Sequence, residues 1–313
     1  MPAAQRPEPL VGRVFRARDA VDGGLLTVDP LRSSAWRRVY RGVYADARVP
    51  LDHTLRIAGA RLLVPPQAVF SGRSAAHLLG AAELAPPDGP VEVTVAAPLR
   101  FGPVTGLRVR HLRTLPSDHV RTVGRTRCTT GLRTALDLAR GEPLPEAVVA
   151  LDVLLARGIA DEEDLRRAAG ELERGGACRA RRAIGLSDRR AESQPESRLR
   201  VALVLGGLCP VPQHVVRDEE GRFVARVDLA FPEVKVAVEY DGAWHGGRGQ
   251  LSKDRRRLNA LVRAGWQVLH VTAADMHDQD RLVGAVRDLV VAAGSRETGL
   301  RTAAVGPASP NSG

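Results

Sequence analysis

The residues best suited to chemistry are four carboxylates and a histidine in the last third of the chain: Glu196, Asp228, Glu239, Asp241 and His245. Carboxylates held close together repel, so one keeps its proton more tightly or a cation is drawn in. Oxygen ligands select hard ions, and Mg²⁺ needs only one or two carboxylates because it keeps several waters. Such an ion activates water and offsets the charge of a phosphodiester under attack. The set therefore reads as a site for Mg²⁺ or Mn²⁺ held by Asp228 and Glu239, with Glu196 orienting the ion or its water. His245 would donate to a phosphate or act as acid or base. Any one of these carboxylates alone reads as well as an exposed strand end.

These residues need a scaffold, and the pattern around them supplies one. Pro195 suits the first turn of a helix over 195–205, ended by Gly206-Gly207. Strands are expected over 213–216, 223–231 and 234–241, then a helix over 251–264, a strand over 266–272 and a helix over 278–293. Helix, three strands, helix, strand, helix describes an α/β domain with a mixed sheet flanked by helices. Along 234–241, Val234, Val236 and Val238 take one face while Glu239 and Asp241 share the other. A two-residue turn at Pro232-Glu233 sets residue 231 opposite 234 and 228 opposite 237. Asp228 then lies diagonal to Glu239, with Cβ atoms roughly 7–8 Å apart.

The helix after the acidic strand carries Lys253, Arg255, Arg256 and Arg257 beside Asp254, with Leu251, Leu258, Leu261 and Val262 as its buried face. Its basic residues could line a nucleic-acid groove, an arginine could screen the carboxylates, or the face could simply be solvated.

The rest of the chain is less telling. In 11–45, Val14, Phe15 and Ala20 suit a small helix ended by Gly23-Gly24, and Thr27 could cap a second one. Two short strands, 36–40 and 43–45, flank Arg41-Gly42. Helix, helix and basic hairpin describe a degenerate winged helix, with Arg37, Arg38 and Arg41 near phosphates. A docking subdomain with a solvated basic edge fits equally. Residues 51–160 alternate helix and strand signals as an α+β region, and their histidines, His53, His77, His111 and His119, are scattered as structural residues. Residues 161–194 read as a charged helical connector. The expected division is 1–50, 51–160, 161–194, 195–293, and a disordered tail over 294–313.

The 313 residues carry 46 Lys+Arg against 36 Asp+Glu, a formal charge of +10, which favours an anionic partner such as DNA. Lys235 and Lys253 are the only lysines. Arginine suits phosphate recognition, but a GC-rich coding bias explains the choice as well. No apolar run has the length of a membrane span, and the start does not read as a signal peptide. Cys128, Cys178 and Cys209 are widely spaced and odd in number, which disfavours a disulfide framework or a cysteine zinc site. A soluble cytoplasmic protein is expected.

Several ordered blocks carry a family resemblance. They are Glu196-Ser197-Arg198-Leu199-Arg200, Gln213, Arg226-Val227-Asp228-Leu229-Ala230, Val238-Glu239-Tyr240-Asp241-Gly242 with His245, Asp254 with Arg257, and Gly265-Trp266-Gln267-Val268-Leu269. Together they resemble bacterial endonuclease-like domains related to very-short-patch mismatch-repair endonucleases, within the PD-(D/E)xK restriction-endonuclease-like superfamily. The resemblance covers about 195–290. It implies a restriction-endonuclease core and metal-dependent DNA cleavage. Asp228 takes the place of the superfamily's aspartate, Glu239 of its second acid and Glu196 of its helix acid. Trp244-His245 is similar to a Trp-His pair in the mismatch enzymes. The superfamily's usual lysine is Asp241 here, as this particular family tends to show.

The front of the chain resembles type IV abortive-infection antitoxins with an N-terminal winged helix, through Arg38 to Ala45, Ser74-Ala75-Ala76 and Arg125 to Leu138. The helix that would enter the major groove is shortened, with Pro30 inside it. This resemblance implies a non-catalytic DNA-binding regulator as the alternative to a nuclease, and leaves a toxin partner and a homodimer open.

Overall fold

The computed structural model describes residues 6–173, 175–242 and 248–304, with side chains in the last stretch described over 255–295. The chain forms two compact units, Met1–Gly185 and Leu186–Gly313. Both are mixed α/β, and among the described residues no helix is long and apolar enough to cross a membrane.

The first unit opens with strand β1 (Val14–Arg16), helix α1 (Ala17–Asp22), and strands β2 (Trp36–Tyr40) and β3 (Val43–Asp46), in an antiparallel sheet of order β1-β3-β2. Val14 and Phe15, expected on a helix, form β1 instead. Phe15 packs edge-on against Trp36 with ring centroids 5.1 Å apart, and this pairing outweighs the local helical pattern. Thr27 caps no helix; one 3-10 turn, Pro30–Arg32, follows it.

The unit continues through α2 (His53–Arg61), β4 (Val69–Phe70), α3 (Gly72–Leu78), β5 (Val91–Ala96), β6 (Leu107–Leu112), β7 (Val120–Val123) and β8 (Thr126–Thr129). These strands form a mixed sheet of order β6-β5-β4-β8-β7. Buried His53 shares a 2.9 Å hydrogen bond with the Ser74 hydroxyl, and burial pushes its pKa down to about 4. It is a neutral core residue.

Helices α4 (Gly131–Gly141), α5 (Leu144–Ala156), α6 (Glu162–Gly170) and α7 (Ala177–Leu186) follow. Helix α5 buries Val148, Val149, Leu151, Leu154 and Leu155, as its nearly continuous apolar sequence requires. Leu165, Ala169, Ala180, Ala183 and Ile184 are also buried, so the stretch read as a connector carries core faces. The first unit therefore runs to Gly185 rather than ending at 160, and the second begins nine residues before 195.

The second unit comprises α8 (Gln194–Leu205), β9 (Val211–Arg217), β10 (Phe223–Phe231), β11 (Val236–Tyr240), α9 (Arg248–Arg263), β12 (Gln267–Val271) and α10 (Gln279–Ala304). Helix α10 continues where a disordered tail was expected from 294; residues 305–313 lie outside the described residues. The sheet order is β12-β11-β10-β9, with β9, β10 and β11 antiparallel and β11 and β12 parallel.

One face of this sheet packs Leu229, Phe231, Val236 and Val238 against Leu199 and Leu203 of α8 and Leu282, Val283 and Val286 of α10. On the other, Ala230 and Ala237 cluster with Leu261 of α9 and with Trp266. The alanines leave room for α9 to lie close. Leu258 and Val262, expected in its buried face, are 38% and 59% exposed, so Leu261 alone of those three is in the core.

Candidate functional site

The β10–β11 connection decides how the acids meet. It is not a two-residue turn: a 3-10 turn spans Pro232–Val234, and Lys235 closes it with a left-handed φ of 50°. The register pairs Leu229 with Val238, Ala230 with Ala237 and Phe231 with Val236. Relative to the expected register the partner has moved by two residues. An even shift keeps every side chain on its face. The ladder ends at Leu229 and Val238. Asp228 and Glu239 are the next residues on the two strands, on the same face, and there the Tyr240 N–H turns to Asp228 Oδ2 instead of to a carbonyl of β10.

The surroundings of the two acids differ. Glu239 is 6% exposed and binds Arg257 of α9 through both oxygens, Nη1 on Oε2 at 2.8 Å and Nη2 on Oε1. Arg257 Nη2 also donates to the Arg226 carbonyl at 2.7 Å. His270 Nδ1 lies 4.0 Å from Glu239 Oε2. Asp228 is half-buried and accepts the Tyr240 backbone N–H at 2.9 Å through Oδ2. Burial, with the charges of Glu196 and Glu239, pushes its pKa up to about 6 despite the Tyr240 hydrogen bond and Arg257. It is thus a carboxylate whose ionisation is only partly compensated.

Glu196 reaches this pair from the start of α8. Ser193 caps the helix and takes the Glu196 N–H at 3.3 Å, while its hydroxyl donates to Glu196 Oε1 at 2.8 Å. The sequence Ser193-Gln194-Pro195-Glu196 is a capping box in all but one bond: the returning backbone N–H is that of Glu192, at 3.2 Å from Oε2. Gln213 Nε2 donates to the same Oε2 at 2.8 Å. Glu196 therefore serves the helix cap as well as contributing charge beside Asp228.

The other residues singled out in the sequence fall as follows. Asp241 lies just past the end of β11 with an exposed side chain, and its backbone N–H donates to the Val271 carbonyl at 2.7 Å. Among the described residues its side chain makes no hydrogen bond or ion pair with the other acids or their partners. His245 and Trp244 lie outside the described residues, as do the side chains of Leu251, Lys253 and Asp254. Arg255 and Arg256 are exposed on α9. In the first unit Arg38 and Arg41 are exposed, but Arg37 donates to the Val49 and Ala47 carbonyls, each at 3.2 Å. Arg37 thus braces the backbone just after β3.

Among the described residues no three His, Cys, Asp or Glu side chains are placed to ligate one ion together. Any cation would rest on the Asp228–Glu239 pair and on water. Two contributions were not assigned to particular side chains by the sequence. Gln213 sits in β9 with a φ of 52°, a left-handed conformation that costs a non-glycine residue about 1–3 kcal/mol. Arg257 screens Glu239, and its signal was its place one helical turn before buried Leu261.

No protein-family profile matches the chain. The uncharacterized protein Rv2248 of Mycobacterium tuberculosis strain H37Rv is 30% identical over 244 residues, covering 76% of this chain and 86% of that protein. The uncharacterized protein MT2308 of strain CDC 1551 / Oshkosh matches with the same identity and coverage. The crystal structure of the RV2827C protein from Mycobacterium tuberculosis is similar over 67% of this chain and 80% of that one, at 17% identity and a TM-score of 0.39. By its identity and coverage with Rv2248 and MT2308, the chain belongs to the family of these two mycobacterial proteins.

Proposed function

We propose that the second unit is a restriction-endonuclease-like domain that hydrolyses phosphodiester bonds of DNA with Mg²⁺ or Mn²⁺ at the Asp228–Glu239 pair. The observation that carries this reading is Asp228: a half-buried carboxylate near enough to Glu196 and Glu239 for their charges, with burial, to raise its pKa to about 6. Among the described residues its Oδ1 has no hydrogen-bond partner. An all-oxygen donor pair with uncompensated negative charge suits a hard divalent ion. Asp228 fits such an ion as it stands. Glu239 fits once Arg257 gives up one of its oxygens, and the Arg257 side chain, 40% exposed, has solvent to swing into.

When bound, the ion would supply an activated water and charge neutralisation at the phosphate. The chain's own residues do the rest. Asp228 and Glu239 would hold the ion through their carboxylate oxygens. Glu196, held by Ser193 and Gln213, would orient its water. Arg257, released from Glu239, contacts the phosphate and brings the positive charge that Asp241 cannot. Arg255 and Arg256 hold the DNA backbone and carry no sequence information. His245 is assigned acid–base work at the leaving or attacking oxygen. In the first unit, Arg38 and Arg41 on the hairpin of a degenerate winged helix would add phosphate contacts.

One observation favours a second reading. Arg257 occupies both oxygens of Glu239, as it would in a scaffold that keeps the fold and binds DNA without cutting it. Supercoiled plasmid separates the two. The nuclease reading expects nicking in Mg²⁺ that EDTA, Asp228→Ala and Glu239→Ala each abolish. Salt-dependent DNA binding without nicking, unchanged by both substitutions, would replace it with the scaffold reading.

A further inference from the structure

The neighbours of Gln213, Pro212 and His214, pair with Leu229 and Val227 of β10, so the β9 register brings Gln213 across from Asp228. Among the described residues only Gln213 and Lys235 are non-glycine residues with a left-handed backbone. Lys235 closes a turn, and its conformation follows from that. Gln213 lies inside a strand, where no turn demands one and glycine would hold the backbone at no steric cost. A side chain retained under strain beside a functional cluster calls for a reason in what it touches. Its amide Nε2 donates to Glu196 Oε2 at 2.8 Å, linking β9 to the start of α8. Its amide oxygen accepts no hydrogen bond among the described residues.

We propose that Gln213 is a positioning residue of the acid cluster: its amide holds Glu196 toward Asp228 and presents its oxygen to the hydration shell of the bound cation. The inference rests on the cation-dependent reading of the Asp228–Glu239 pair and assigns that site a partner outside the acids themselves. Groups of this kind, one step removed from the ion, typically change metal affinity 10–100-fold when removed.

The test is Mn²⁺ binding to the full-length, metal-free protein, followed by electron paramagnetic resonance, together with thermal unfolding. Gln213→Gly should keep or raise the melting temperature because the strain is relieved, yet weaken Mn²⁺ binding about tenfold or more. Gln213→Asn, which tolerates the left-handed backbone but is too short to reach Glu196, should weaken it similarly. Adding Glu196→Gln to Gln213→Gly should cost little more than either change alone, since one acts through the other. Mn²⁺ binding by Gln213→Gly equal to wild type, additive losses in the double variant, or a lowered melting temperature would each overturn the positioning role while leaving the nuclease reading intact. A wild-type protein that binds no Mn²⁺ would overturn both.

Discussion

The guanidinium of Arg257 caps the carboxylate of Glu239, one terminal nitrogen on each oxygen, while Nη2 also holds the Arg226 carbonyl of the neighbouring strand. Glu239 is buried and Arg257 is partly exposed, so the pair is asymmetric: the acid depends on the arginine more than the reverse. Removing the arginine leaves a buried charge without its partner. Arg257→Ala should therefore lower metal-free stability by about 1–3 kcal/mol in urea unfolding. Mg²⁺ should then raise the melting temperature more in the variant than in wild type, since nothing competes for Glu239. Equal Mg²⁺ shifts in the two proteins would mean that the arginine and the ion do not share that carboxylate.

Asp228 sets a pH dependence of its own. Its folded pKa of about 6 lies above the ordinary value of 3.8, chiefly through burial. The folded state thus binds the proton more tightly than the unfolded one. The stability this contributes is fully present below pH 4 and is lost as pH rises through 6. Above that, the ionised group costs on the order of 1–3 kcal/mol. Asp228→Asn should accordingly be more stable than wild type at pH 8 and about equal to it at pH 4, measured by urea unfolding. A variant less stable than wild type at pH 8 would make Asp228 a structural residue rather than a site residue.

The cysteines give a check on the fold outside the site. Cys178 and Cys209 are exposed, whereas Cys128 is buried and burial pushes its thiol up to about 11. Ellman's reagent at pH 8 should label two thiols promptly in the native protein and the third only after denaturation. Three prompt equivalents would place Cys128 at the surface.

The second unit was legible in outline because its elements obey simple periods. Residues 225–229 of β10 alternate buried and more exposed as a strand must, and Gly265 ends α9 where a left-handed residue was needed. The turn after Phe231 was not legible. Pro232-Glu233 looks like a complete turn in sequence, but Lys235 adopts the left-handed conformation that glycine usually supplies, so the loop lengthens by two residues. Because the change was even, the facing of Asp228 and Glu239 survived and only their offset changed. Arg257 was one of three open readings of a basic helix, decided by tertiary packing around Leu261. The strand over Val14 and Phe15 was invisible to local pattern, since its stabilising contacts come from Trp36 and Tyr44, far along the chain.

The pairing of Asp228 with Glu239 is tested most directly by counting ions. Equilibrium titration of Mn²⁺ into metal-free protein at pH 8 should find one bound ion per chain, displaced by Mg²⁺ and absent from Asp228→Ala and from Glu239→Ala. No bound Mn²⁺, or binding undiminished in both variants, would contradict the account.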